Sequence, residues 1–261
     1  VTGRMNRLLK GERKESLWFA SGLFILAGIW QAMSLFFSPL VLPSPMETLE
    51  SLLNLLTSGD SRRDFYVSAY RVLTALIAVI VVGTGIGVVS GFKPRLESLL
   101  KPVQDILIAI PPVALIMLVI FLFGSGSPQT IMVAGALVFP LIYGNTVAAV
   151  RTVDRDLLEM TGVFNVSGKV RLRDIYLPSV IFSSLPNILL AAGLMVRIVV
   201  MAEVIVGVTV GIGDALIIAR VNLAAREIFA WMLVMVAVVL IIEGVLLYTI
   251  KKYLLRWQVQ G

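Results

Sequence analysis

Long apolar runs alternate with short polar intervals along the whole chain. The runs Leu17 to Phe37, Ala69 to Val89, Val103 to Phe123, Pro128 to Val150, Val180 to about Val206 and Ile228 to Ile250 are each long enough to cross a bilayer as a helix, which takes ~20 largely apolar residues. The pattern therefore predicts six spans. Between the first two, Pro39, Pro43 and Pro45 forbid a helix and favour extended backbone. Met46 to Leu56 then places Leu49, Leu52, Leu53 and Leu56 at helical spacing, which predicts a short amphipathic helix. Thr57 to Asp64 reads as a polar turn, Gly124 to Ser127 as a very short one. Val208 to Glu227 reads as an outer segment turning at Gly211-Ile212-Gly213. The longest polar interval is 151–178, RTVDRDLLEMTGVFNVSGKVRLRDIYLP. A loop that only joined two spans could be far shorter. This one has room for two short helices and a turn, and we read it as a docking segment for a partner protein.

Composition agrees with a polytopic membrane protein. Mean hydropathy is +0.96 and 58% of residues are apolar, above the ~45–50% of soluble domains. The net charge of +6 does not point to nucleic acid, because no basic face interleaved with aromatic residues exists. It follows the intervals instead. Arg4, Arg7, Lys10, Arg13 and Lys14 precede the first run; Lys93, Arg95 and Lys101 follow the second; Arg151, Arg155, Lys169, Arg171 and Arg173 follow the fourth; Lys251, Lys252 and Arg256 close the chain. The alternate intervals are poorer, holding Arg62 and Arg63, none, and Arg220 and Arg226. Cytoplasmic loops carry the excess of Lys and Arg, so both termini and 151–178 are expected on the cytoplasmic side. The first run is longer than the apolar core of a signal peptide and lacks a small-residue cleavage site, so a retained helix is expected. The chain has neither Cys nor His, which removes the usual zinc, haem and Ser-His-Asp constellations. An enzyme is not expected, and no repeat of 20–50 residues suggests a solenoid.

Several spans carry interruptions. Gly83, Gly87 and Gly91, four apart, form a small-residue stripe that lets another helix approach. Ile110-Pro111-Pro112 interrupts the third span, and Pro140 and Asn145 lie in the fourth. A helix broken at membrane depth points to a translocation path. Arg197 and Glu203 are costly in hydrocarbon. Six residues apart, they sit about 120° from a shared helix face, so each must find its partner elsewhere: the bundle interior, a second copy, the pathway or, for Glu203, the water interface. Arg197, Glu203, Pro111, Pro112 and Asn145 are the pathway or gate candidates, with Asp105 and Glu243 ranked below them.

Within 151–178, Glu159-Met160-Thr161 is followed by three residues, Asn165, nine residues, and Ile175-Tyr176-Leu177-Pro178. This resembles the EAA motif of bacterial ABC-importer permeases. Met160 and Thr161 stand where that motif has alanines, and Asn165 where it has glycine; Asn is the next most tolerant residue of left-handed backbone. Leu42-Pro43-Ser44-Pro45, Ser68-Ala69-Tyr70-Arg71-Val72-Leu73, Ile110-Pro111-Pro112, Ala202-Glu203 with Gly211-Ile212-Gly213, and Leu254-Leu255-Arg256-Trp257 resemble, in order, marks of the nitrate/sulfonate/taurine branch.

The resemblance implies an all-α polytopic membrane protein of six transmembrane helices, like a type I ABC-importer permease. It would be one transmembrane permease domain over 1–261, with a cytoplasmic segment at 1–16. The chain would catalyse no covalent chemistry and bind no cofactor, with ATP and magnesium held by a partner ATPase. Expected partners are a cytoplasmic ABC ATPase dimer, a second permease copy in a homodimer, an extracytoplasmic solute-binding protein and the lipid bilayer of the bacterial inner membrane, with a small solute passing through, an anion being one candidate. The ATPase would be engaged through Glu159, Thr161, Val163, Phe164, Asn165, Val166, Ser167, Ile175, Leu177 and Pro178. Gly162 to Val170 imitates a phosphate-binding loop, but its glycine spacing is wrong and Val170 stands where a hydroxyl should hold magnesium. A secondary transporter or channel working without ATP is the alternative, and would call for inverted repeats that the sequence does not show.

Overall fold

The computed structural model describes Trp18 and residues 21–254, and every regular element among them is a helix. The segment 1–16, the start of the first predicted span and the closing Leu255-Arg256-Trp257 lie outside the described residues. The helices are α1 (Ser21–Ser34), α2 (Pro45–Thr57), α3 (Gly59–Phe92), α4 (Pro94–Ala109), α5 (Pro112–Phe123), α6 (Ser127–Arg151), α7 (Arg155–Val163), α8 (Gly168–Val206), α9 (Ile212–Val221) and α10 (Ala225–Leu254). Four are long and apolar enough to cross a membrane: α3, α6, α8 and the Ala225–Val245 part of α10. The pair α4 and α5, bent by 105°, makes a fifth if it crosses as one broken span. The first predicted span appears as α1, whose flanking residues are not all described.

The described chain divides into two compact units. The first takes the described residues up to Ser58 together with Ile218–Leu233. In it α2 starts on a capping box. The Ser44 hydroxyl accepts from the Glu47 N–H, while the Ser44 N–H and hydroxyl both donate to the Glu47 carboxylate. Those bonds hold the Glu47 carboxyl below the usual carboxylate range. Trp30 stacks on Phe229 at 5.7 Å and donates its indole N–H to the Pro43 carbonyl at 2.9 Å.

The second unit, Gly59–Ile217 with the described residues from Val234, holds the main core. Val72, Val79, Val138, Ile142, Met195 and Val199 join α3, α6 and α8 in one buried cluster. The glycine stripe sets how closely α3 meets α6. A Cβ built on Gly83 would come within 2.9 Å of Ile142, one on Gly87 within 2.7 Å of Thr146, and one on Gly91 within 2.6 Å of Val150. The three contacts step by four on both helices, so one ridge of α6 lies in the groove that the glycines leave.

Two predicted boundaries change, and one predicted interruption is sharper than a kink. Thr57 to Asp64 is not a turn: only Ser58 leaves helical backbone, and α3 begins at Gly59. The connection after the second span is mostly helix, because α4 reaches back to Pro94. The expected interruption of the third span is a full break of 105° between α4 and α5. Ile110, restricted because a proline follows, is extended (φ −70°, ψ 126°), and so is Pro111 (φ −57°, ψ 134°). Two extended residues in succession turn the chain, and α5 restarts when the Ala114 N–H donates to the Pro111 carbonyl. With 12 residues, α5 rises about 18 Å, less than the ~30 Å of a hydrocarbon core.

Gly87→Ala should lower stability by about 1–3 kcal/mol through overpacking, whereas Gly85→Ala, whose Cβ would meet nothing within 4 Å, should be neutral or slightly stabilising. Thermal unfolding of both variants in detergent checks this; equal losses would remove the stripe as the determinant of the α3–α6 approach.

Candidate functional site

The segment 151–178 forms a capped turn between α7 and α8. Asp154 caps α7, its carboxylate accepting from the Asp156 N–H at 2.9 Å. At the other end Asn165 takes left-handed backbone (φ 50°), the conformation expected of it. The Val166 N–H then reaches the Thr161 carbonyl at 3.0 Å and the Asn165 N–H the Gly162 carbonyl at 3.2 Å. That pair of bonds is a Schellman motif, which satisfies the last carbonyls of α7. Thr161 is buried and its hydroxyl donates to the Leu158 carbonyl. Ser167 caps α8 by accepting from the Val170 N–H. Val163 and Phe164 are left 78% and 74% exposed at the tip, with Glu159 exposed one turn earlier.

The second helix of this segment is not short. From Gly168 it runs on as α8 to Val206, so Pro178 lies well inside it rather than in the first turn of a new helix. Leu172–Tyr176 is a π-turn, closed by the Leu177 N–H on the Leu172 carbonyl. Widening the helix just before Pro178 accommodates a residue with no N–H to offer. Ile175 and Pro178 are half-buried and Leu177 exposed on this stretch. At the other edge Arg151 forms a two-pronged ion pair with Glu97 of α4. Further along α4, Gln104 donates to the Pro140 carbonyl and occupies the space that a side chain at Gly144 would need. The helix that leads into the exposed Val163-Phe164 tip is therefore pinned to the helix that ends at the Pro111-Pro112 break.

A second polar cluster lies at the opposite end of α8. Glu203 is fully buried inside the protein, and Arg71 of α3 meets it at 2.6 Å. The Ser68 hydroxyl lies 2.7 and 2.8 Å from the two carboxylate oxygens, and the Gly213 N–H donates to Oε2 at 2.9 Å. Arg71 also donates to the Val210 carbonyl at 2.8 Å and, through Nε and Nη2, to the Ser127 hydroxyl at 3.0 and 2.9 Å. The Ile212 N–H donates to Ser68 and the Gly211 N–H to Asp64. The turn after α8 is thus held by charges on α3 and α8 together. A Cβ on Gly211 (φ 140°) would come within 2.6 Å of Arg71, and one on Gly213 within 2.3 Å of Glu203, so both glycines are needed for the clamp to close.

The pathway candidates are not brought together. Arg197 is exposed on α8, Asn145 is half-buried on α6, and Pro111 and Pro112 form the exposed break before α5. Asp105 pairs at the surface with Lys101, and Glu243 is half-buried. Sequence reasoning missed Arg71, Ser68 and Ser127 as partners of Glu203. A usable signal existed: with Arg197 excluded by its angle on the helix, Arg71 is the other cation lying inside an apolar run.

The sequence profile of the family described as binding-protein-dependent transport system inner membrane component matches residues 80–259. Among similar proteins are two named as aliphatic sulfonates transport permease proteins, SsuC. The one from Escherichia coli (strain K12) is 30% identical over 89% of this chain and 88% of its own. The one from Bacillus subtilis (strain 168) is 28% identical over 95% and 91%. The taurine transport system permease protein TauC of Escherichia coli (strain K12) is 24% identical over 85% and 82%.

Removing one partner of the clamp leaves a buried charge, which costs about 3–5 kcal/mol, whereas replacing both by apolar groups costs much less. Arg71→Met alone should therefore destabilise strongly, and Arg71→Met with Glu203→Leu should recover much of the loss. Unfolding in detergent across the double-mutant cycle reads this, and additive costs would contradict direct pairing.

Proposed function

The chain belongs to the binding-protein-dependent transport system inner membrane component family, and from that premise we propose that it transmits the work of a separate cytoplasmic ATPase through residues 151–178. It is a multi-pass membrane protein and a non-catalytic permease subunit of an importer that works with a binding protein and an ATPase. In our reading two copies form the pathway, each giving half of it. Both termini and the α7–α8 tip face the cytoplasm, where basic residues concentrate. ATP and magnesium are bound by the ATPase. The solute is a small molecule with a sulfonate or similar anionic group, in keeping with the sulfonates and taurine for which relatives are named.

The observation that supports the coupling role most is the exposed Val163-Phe164 pair on a fully capped turn. Leaving two large apolar side chains in water has no local benefit, while a short rigid helix with an apolar tip fits a groove on a partner. Glu159 adds a charge that a basic groove would recognise. The turn is stiffened by the Schellman bonds at one side and by Ser167 at the other, so a push on the tip is not lost in a floppy loop. Its route inward runs along α8 directly and, through Arg151 and Glu97, along α4 to the Pro111-Pro112 break.

The test is ATPase activity of the complete importer in liposomes. Phe164→Asp should remove at least nine-tenths of the stimulation by the binding protein, and Glu159→Lys should weaken it several-fold, with both permeases still assembled in the membrane. Normal stimulation in both variants would overturn the coupling role, and transport with no ATPase present would move the chain to the secondary-transporter class.

A further inference from the structure

We propose that Arg197 is the anion-binding residue of the pathway, set on a water-facing stripe of α8 where it holds the sulfonate or similar oxoanion group of the solute in transit. The proposal rests on the reading of the chain as one half of an importer pathway, and deepens it by assigning the solute's charged group a site.

Four observations converge. First, Arg197 lies nine residues before the end of α8 at Val206, about 13 Å along the helix, close to half of a ~30 Å hydrocarbon core. Second, its side chain is exposed, whereas Arg71 and Glu203, which also lie inside apolar runs, are buried against each other. Third, no carboxylate among the described residues lies within ion-pair distance of it. Glu203 is taken by Arg71, and the Glu243 carboxylate approaches α8 at Gly193, one turn away, without pairing to Arg197. Fourth, Arg197 does not stand alone on its face. Leu190, Leu194, Met201 and Val204 share its side of α8, and Leu190 and Val204 are 54% and 36% exposed. Leu194 and Met201 are half-buried, and between Leu190 and Val204 the exposed residue of α8 is Arg197, so a partly open stripe remains with a cation at its centre.

Lipid cannot cover that stripe cheaply. An arginine at the bilayer centre costs at least ~2.5 kcal/mol on insertion scales, and such residues face a bundle interior or a water-filled cavity. Leaving it uncompensated therefore makes sense only where water and an anion reach it. Arginine suits the task, because its guanidinium stays charged and offers a planar fork of donors to an oxoanion. The remaining apolar residues of the stripe bind nothing strongly, which allows the solute to leave.

The cysteine-free chain permits a direct test that needs neither the natural solute nor ATPase coupling. A single thiol is introduced by Met201→Cys, one turn outward of Arg197, or by Leu194→Cys, one turn inward, in the reconstituted importer. Each is treated with a methanethiosulfonate reagent carrying either a sulfonate or a quaternary ammonium group. With Arg197 present, the sulfonate reagent should react at least tenfold faster than the cationic one, and Arg197→Gln should abolish that preference while Arg197→Lys keeps most of it. A thiol at Leu240 (Leu240→Cys), on a face of α10 that is apolar and exposed at Val236, Leu240 and Ile241 and that on this reading is covered by lipid, should react with neither. If both stripe thiols behave like the Leu240→Cys control, the stripe faces lipid and the proposal fails. Fast labelling without charge preference, or a preference unchanged by Arg197→Gln, would leave a water-filled path but remove Arg197 as its anion site. Loss of coupling in the Phe164→Asp variant bears on none of these rates, so the two readings fail separately.

Discussion

The buried ion pair between Arg71 and Glu203 constrains more of this structure than any other contact. A charge inside a bilayer protein must be paired, hydrated or absent, and here pairing is completed by Ser68, Ser127 and the backbone of the turn at 210–213. The consequence is positional. Fully satisfying the carboxylate requires α3 and α8 to lie side by side at this end, and requires the turn after α8 to fold back over them. Gly211 and Gly213 are then forced, since any side chain would collide with the pair itself. The clamp is worth little as net stability, because desolvation offsets most of the attraction. Its value is that it specifies one arrangement among the many that apolar helices could adopt.

A different device sets the approach of α3 to α6. In lipid no hydrophobic force drives helices together, so close packing has to supply the attraction. The glycines at 83, 87 and 91 provide it against Ile142, Thr146 and Val150. One end of α3 and α8 is clamped by charge and the α3–α6 contact is held by shape, and the end at 151–178 is the one we propose to carry partner contacts. There α6 leads out through Arg151, which is tied to Glu97, and α8 begins at the rim of the exposed Val163-Phe164 turn. Force applied at that turn reaches two elements at once: the long α8 that bears Arg197, and α4, which ends at a 105° break.

Much of this was legible in the sequence, and the misses have physical causes. The apolar runs, the amphipathic α2, the glycine stripe and the left-handed Asn165 all follow from local chemistry that tertiary contacts reinforce. The start of α3 at Gly59 was missed because a stretch of Asp, Ser and Arg reads as a turn when nothing shows that it continues a long helix. The length of α8 was missed because a proline normally marks a boundary; a π-turn absorbs Pro178 instead. The severity of the break at Ile110-Pro111-Pro112 depends on two successive residues adopting extended backbone, which the prolines permit but do not dictate. The partner of Glu203 was missed for another reason. Arg71 sits 132 positions away, and periodicity within one helix carries no information on which distant helix supplies a counter-charge.

The central claim is that the tip at Phe164 is where this chain meets its ATPase. The most direct measurement places a photo-crosslinking amino acid at position 164 in membranes that contain the whole importer, and identifies the adduct by mass spectrometry. The account predicts a single dominant adduct with the ATPase chain, its yield changing when ATP closes the dimer. An adduct with lipid alone, or with no protein at all, would contradict it.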